Sequence, residues 1–138
     1  MAHPQMYDDD DPFLARVREI ALAFPDADLK VSHGRPAFFT TKVFAYYGGS
    51  VKEDGEWVDH PHCVILLPDP IEREALLADD RAFVPAYLGP SGWIGVDLVQ
   101  DGTGEVGDVD WDELAELLDA SYRMTAGARR VAALDARG

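Results

Sequence analysis

Residues 35–68 constrain this chain more than any other stretch. "RPAFFT" and "KVFAYY" are runs of aromatic and β-branched residues with a short break near Thr41, and "HCVILLP" follows beyond the glycine- and charge-rich "GGSVKEDGEW". Parallel neighbours need a crossover of roughly a dozen residues or more, usually a helix, and no helical pattern separates these runs. The three runs therefore predict an antiparallel meander. "GGSVKEDGEW" reads as its flexible hairpin tip, and "HCVILLP", continuously apolar, as a central strand.

Helices bracket this block. Asp11 is placed to cap a helix whose first residue is Pro12, and Phe13, Val17, Ile20, Ala21 and Phe24 recur on one stripe before Pro25 stops it. Asp69 and Pro70, with Glu72 three residues after the cap, open a second helix that carries Leu76 and Leu77. Asp110 and Glu113 open a third through Trp111, Leu114, Leu117, Leu118 and Tyr122. Gly127 breaks it before a short terminal helix anchored by Val131 and Leu134. "WIGVDLV" alternates and reads as a fourth strand with one buried face, after a shaped loop, "FVPAYLGPSG". "QDGTGEVGD" is a polar connection. The order predicts an α+β fold with helices packed on an antiparallel sheet, as one domain over residues 12–138 behind an acidic leader, 1–11.

Twelve Lys and Arg stand against 26 Asp and Glu, a formal net charge of -14 with pI near 4.4. Nucleic-acid-binding domains usually show the reverse balance, so the whole-molecule field disfavours a polyanionic partner. A protein partner with a basic surface, or a small ligand, fits that charge better. The lone Cys63, the lack of an apolar run of membrane-spanning length and the N-terminus "MAHPQMYDDDDP" lead to the expectation of a cytoplasmic protein, monomeric or weakly dimeric.

Motifs for known chemistry are few. No P-loop, dinucleotide fingerprint, G-x-S-x-G or H-E-x-x-H occurs, and Gly102, Gly104 and Gly107 are irregularly spaced among acids. His60 and His62, alternate residues of a strand, would share a face as a metal pair. Yet only His33 and His3 could add imidazoles, so no metal and no cofactor is expected. Asp8 to Asp11 lack the glycine spacing of a calcium loop. "KVSHGRPAFF" holds the more interesting cluster. His33 is of the side-chain type that can serve as a proton carrier and Arg35 can clamp an anion, although pairing of Arg35 with one of the many carboxylates is the default. Ser32, adjacent to His33 in an extended chain, is badly placed to act as a nucleophile with it. Tyr87 and Trp93 flank two glycines and a proline in a loop able to shape a shallow amphipathic pocket.

"KVSHGRPAFF", "KVFA", "VILLPDPIEREALLADDRAFVPAYLGPSGWIGVDL" and "DWDELAELLDASYRMTA", in that order, resemble the successive signatures of the MmcQ/YjbR family. The matching positions are His33, Gly34, Arg35, Pro36, Phe38, Lys42, Tyr87, Leu88, Gly89, Gly92, Trp93, Ser121 and Tyr122. The resemblance implies a small α+β domain with a double-wing, secretion-chaperone-like fold, a DNA-binding role, and neither catalytic residues nor a cofactor. Under that role the contacts would come from Arg35, Lys42, Lys52, Arg123, Arg129 and Arg130. The 48–62 hairpin would act as a wing, although it sets Lys52 against Glu53, Asp54, Glu56 and Asp59. Against it stands a non-enzymatic binding module with ligand contacts at His33, Arg35, Tyr87 and Trp93, or a small enzyme built around His33, Arg35 and Tyr87.

Overall fold

The computed structural model describes residues 4–99 and 104–137. Its six strands are β1 (Asp28–Ser32), β2 (Arg35–Phe39), β3 (Val43–Glu53), β4 (Glu56–Leu66), β5 (Ala82–Phe83) and β6 (Ile94–Asp97), and its helices are α1 (Pro12–Ala21), α2 (Pro70–Leu77), α3 (Trp111–Thr125) and α4 (Ala128–Ala136). The strands form one sheet in the order β1-β2-β3-β4-β6-β5, every neighbouring pair antiparallel. The fold is α+β, as the order of periodic segments predicts.

Register divides the sheet into two unlike faces. Leu29, Phe38, Ala45, Leu66 and Ile94 stand opposite one another across five strands and so share a face. That face packs on Phe13, Leu14, Val17 and Ala21 of α1 and on Leu114, Leu118 and Tyr122 of α3 as one apolar cluster. Phe38 and Leu118 are fully buried, so truncating either to Ala costs about 2–5 kcal/mol. Polar groups pin the helices in place: Ser121 Oγ donates to Phe44 O at 2.5 Å and accepts from Leu67 N, and Tyr122 Oη donates to Pro25 O at 2.8 Å. The other face carries the row Ala37, Tyr46, Ile65, Gly95 and Phe83.

Several sequence expectations are corrected. "GGSVKEDGEW" is not a flexible tip: β3 runs on to Glu53 and β4 starts at Glu56, leaving a two-residue turn with Asp54 at φ 50° and Gly55 at φ 83°. That is the geometry of a type I′ turn, for which Asp-Gly is among the favoured sequences. Gly48 and Gly49 are strand residues; a Cβ on either would press into Arg35 or Ile65. The short polar strand β1 was overlooked, and so was β5. β6 is covered on both faces rather than one, because the Phe83 ring lies where a Gly95 side chain would stand. Phe24 lies beyond the end of α1, stacked on Tyr122.

Asp8, Asp9 and Asp10 are exposed, whereas Asp11 is buried. Its Oδ1 accepts from Phe13 N as the α1 cap, and its Oδ2 accepts from Tyr47 Oη at 2.5 Å and lies 3.1 Å from His62 Nδ1. Met6 N donates to Gly34 O at 2.8 Å, so this segment straps across the β1–β2 turn. The connection 100–103 and His3 lie outside the described residues.

Candidate functional site

His33 and Gly34 are the turn itself. With φ of 52° and 84° they join β1 to β2, and Ser32 pairs with Arg35 directly across them. Positive φ at both central residues marks a type I′ hairpin turn; histidine is among the side chains that tolerate it, and glycine favours it. The turn lifts His33, exposed, to the rim of a groove on the sheet face that turns away from α1 and α3.

That groove measures about 840 Å³. Its floor is Tyr46, Gly48, Gly49 and Ile65. Ser32, His33, Arg35 and the strap residue Met6 close one side, and Trp57 with Pro85, Ala86, Tyr87 and Leu88 closes the other. Burial in this apolar setting pushes the Tyr46 phenol above its ordinary value. The far wall is tied to β3 by Ala86 N, which donates to Ser50 O at 3.4 Å, and the floor is backed by Trp93, whose ring meets Tyr46 edge-on at 5.7 Å.

Tyr87 is the strained member. Leu88 N donates to Ala86 O at 2.7 Å across it, while its own φ is 65°. This is the positive-φ γ-turn, a rare and strained form, held here by a bulky aromatic residue that is 87% exposed. Its ring lies against Trp57, centroids 6.2 Å apart.

Arg35 reaches the groove from its polar side. Nη2 donates to Asp59 Oδ1 at 2.8 Å, while contacts to Ser50 Oγ and Met6 O are long at 3.4 Å. The expected ion pair is present, and it is lopsided: the Arg35 side chain is 11% exposed and that of Asp59 63%.

Of the four residues expected to contact a ligand, the structure brings His33, Arg35 and Tyr87 to this groove and leaves Trp93 behind Tyr46. Sequence reasoning missed Trp57, Tyr46 and Met6. Trp57 was hidden in a stretch read as loop, and only the Asp-Gly turn signal could have recovered it as strand.

The other candidates disperse. His60 Nδ1 lies 2.9 Å from Asp97 Oδ1 with its ring stacked on Phe83, while His62 sits against Tyr47, Asp11 and Phe13. They do not share a face, because the β3–β4 register slips between Tyr47↔Val64 and Gly49↔His60 and turns one histidine away from the other. No cluster of three metal-ligating side chains occurs among the described residues. Two of the basic candidates are tied to carboxylates at short distance, Arg123 to Asp119 and Asp135 and Arg130 to Asp26 at 3.1 Å, while Arg129, 82% exposed, approaches the same Asp26 only to 4.0 Å. Lys52 Nζ stands 5.9 Å over the Trp57 ring, and Lys42 is exposed.

A second hollow of about 450 Å³ lies between the leader and β4, lined by Asp8, Asp10, Asp11, Phe13 and His62 among others. The contrast in charge is sharp. Although 26 of 138 residues are Asp or Glu, none of those among the described residues lines the sheet-face groove.

The family model described as YjbR matches residues 22–124, most of the chain and every groove residue named above except Met6. The chain belongs to the YjbR family. No curated protein matches it. In this YjbR domain the positions that carry the resemblance serve two purposes. Ser121, Tyr122 and Phe38 hold α3 on the sheet, whereas His33, Gly34, Arg35, Tyr87 and Leu88 shape the groove and its turn. No helix among the described residues is long and apolar enough to cross a membrane.

Proposed function

We propose that this YjbR protein is a non-enzymatic binding module that takes a small, largely apolar ligand into the sheet-face groove. The observation that carries the reading is the pairing of an aromatic-walled groove of about 840 Å³, with no carboxylate among its described lining residues, with a strained Tyr87 on its rim. Small-ligand sites are concave, mostly apolar, on the order of 300–1,000 Å³, and furnished with a few polar groups. Strain at an exposed aromatic residue costs about 1–3 kcal/mol and persists where the surroundings over-determine it, typically at ligand clamps and switches. Trp57, Tyr46 and Tyr87 offer flat apolar surface, and Ser32, His33, Ser50 and Arg35 offer hydrogen bonds at the polar side.

The DNA reading that goes with the family resemblance finds less support. Arg35, Arg123 and Arg130 already hold carboxylates, the hairpin that would serve as a wing carries four acids against Lys52, and the chain bears a charge of -14. Paired titrations test the choice at 0.15 M salt, with a neutral aromatic probe, 2-naphthamide, and with mixed-sequence duplex DNA. The expected result is 2-naphthamide binding on the order of 0.1–1 mM, as ligand-efficiency limits allow for so small a molecule, and DNA binding weaker than about 10 µM. Sub-micromolar DNA binding that falls steeply with salt, with no naphthamide binding, overturns the proposal.

A further inference from the structure

Resting on that reading of the groove, we infer that its ligand is an anion of one charge: a small molecule with an aromatic body and a carboxylate, which takes the place of Asp59 on Arg35. Local charge points this way. Among the described residues the groove lining holds Arg35 and no carboxylate, Asp59 pairs with Arg35 from outside that lining, and Lys52 stands over Trp57 at the edge. A second cation on Trp57 would meet Lys52 and Arg35; a carboxylate meets two opposite charges.

The Arg35–Asp59 pair is built for exchange. A guanidinium carries five N–H donors in a planar fork, and Arg35 places only one of its contacts, to Asp59, at a short charge-assisted distance. The guanidinium is the less exposed partner, lying over Gly48 with longer contacts to Ser50 Oγ and the Met6 carbonyl. Asp59 is the exposed one, so it can swing into water at little cost while an incoming carboxylate keeps Arg35 paired. The aromatic body of the ligand then lies along Tyr46 and Ile65 towards Trp57 and Tyr87. A ligand with one negative charge meets the acidic field once, and that field is screened over about 8 Å at physiological salt, whereas a polyanion meets it at every phosphate.

Calorimetric titration of the full chain with 2-naphthoate and 2-naphthamide tests this. The two share a ring system and differ in charge. The wild type should bind 2-naphthoate about tenfold tighter, the gain of a charge-assisted bond. Asp59→Asn should widen that preference by about threefold more, because the internal competitor is gone. Arg35→Gln should bring the two ligands to the same affinity. Equal affinities in the wild type, or a preference that Asp59→Asn lowers, overturn the carboxylate inference while the groove reading stands. Binding of neither ligand overturns the groove reading itself.

Discussion

Tyr87 stacks on Trp57, ring centroids 6.2 Å apart and planes 28° from parallel, while its own backbone is held at φ 65°. The contact joins the loop after β5 to the outer half of the β3–β4 hairpin, and the strain sits on the same residue. At an ordinary helix or strand position glycine is worse than alanine by about 0.5–1 kcal/mol. Here the order should reverse: Tyr87→Gly should be more stable than Tyr87→Ala by about 1 kcal/mol, since only glycine relieves the positive φ. Urea denaturation of the two variants decides it. Alanine equal to or better than glycine would mean that Tyr87 is not strained.

Gly34 and Gly55 make a matched comparison for the N-terminal strap. Both hold φ near 84°, but a Cβ on Gly34 would collide with Pro4 O and Met6, whereas one on Gly55 would meet nothing. Gly55→Ala should cost about 1–2 kcal/mol from the backbone alone. Gly34→Ala should add the loss of the strap's hydrogen bond, about 1 kcal/mol more, and should expose the Met6 amide to hydrogen exchange. A protected Met6 amide in Gly34→Ala would contradict the strap geometry.

What was legible in the sequence was periodic or capped. Asp11-Pro12 and Asp69-Pro70 marked helix starts correctly, because a cap and a first-turn proline act within a few residues. The helix stripes and "HCVILLP" found the core for the same reason. Long-range events were not legible. β1 is short, polar and at a sheet edge, so it lacks a buried period; the Gly48-Gly49 pair looks like a loop until Arg35 and Ile65, distant in sequence, fill the space beside it. The groove was half visible: its tight turn and proline-rich loop carry local signals, but Trp57 and Tyr46 reach it only through register. A bulge parted His60 from His62, and such slips leave no period in the sequence.

Tyr47 should govern stability at high pH. Burial first, and then its hydrogen bond to Asp11, raise the Tyr47 phenol well above its ordinary value of 10.0. An acid raised in the folded state favours folding fully below pH 10 and loses that contribution as pH climbs beyond it, because the unfolded phenol ionises first. Tyr47→Phe should remove one proton's worth of this alkaline slope, about 1.4 kcal/mol per pH unit. At pH 7 it should cost about 1–3 kcal/mol by taking a donor from buried Asp11. An unchanged slope above pH 10 would show that Tyr47 ionises alike in both states.

At low pH the sensitive contact is Asp79 with Arg81, which also holds Glu113 on α3. Hydrogen bonds from Arg81 lower the Asp79 carboxyl to about 2. A lowered acid stabilises the fold above its unfolded pKa of about 4, and the benefit disappears as pH falls from there towards 2. Both side chains are partly exposed, so Asp79→Asn should cost no more than about 1 kcal/mol at pH 7. The variant should approach the wild type at pH 2. A gap as large at pH 2 as at pH 7 would rule this out.

The central claim, that the groove between the His33 turn and the Tyr87 loop is the binding site, is tested most directly by locating a bound probe. Amide and indole chemical shifts of the ¹⁵N-labelled chain, followed through a 2-naphthoate titration at 0.15 M salt, report that location residue by residue. The account predicts one saturating set of shifts at the Trp57 indole N–H and at the backbone of residues 33–35, 46–50 and 86–88. Shifts confined to the leader hollow around His62, or none at the Trp57 indole at saturation, would contradict it.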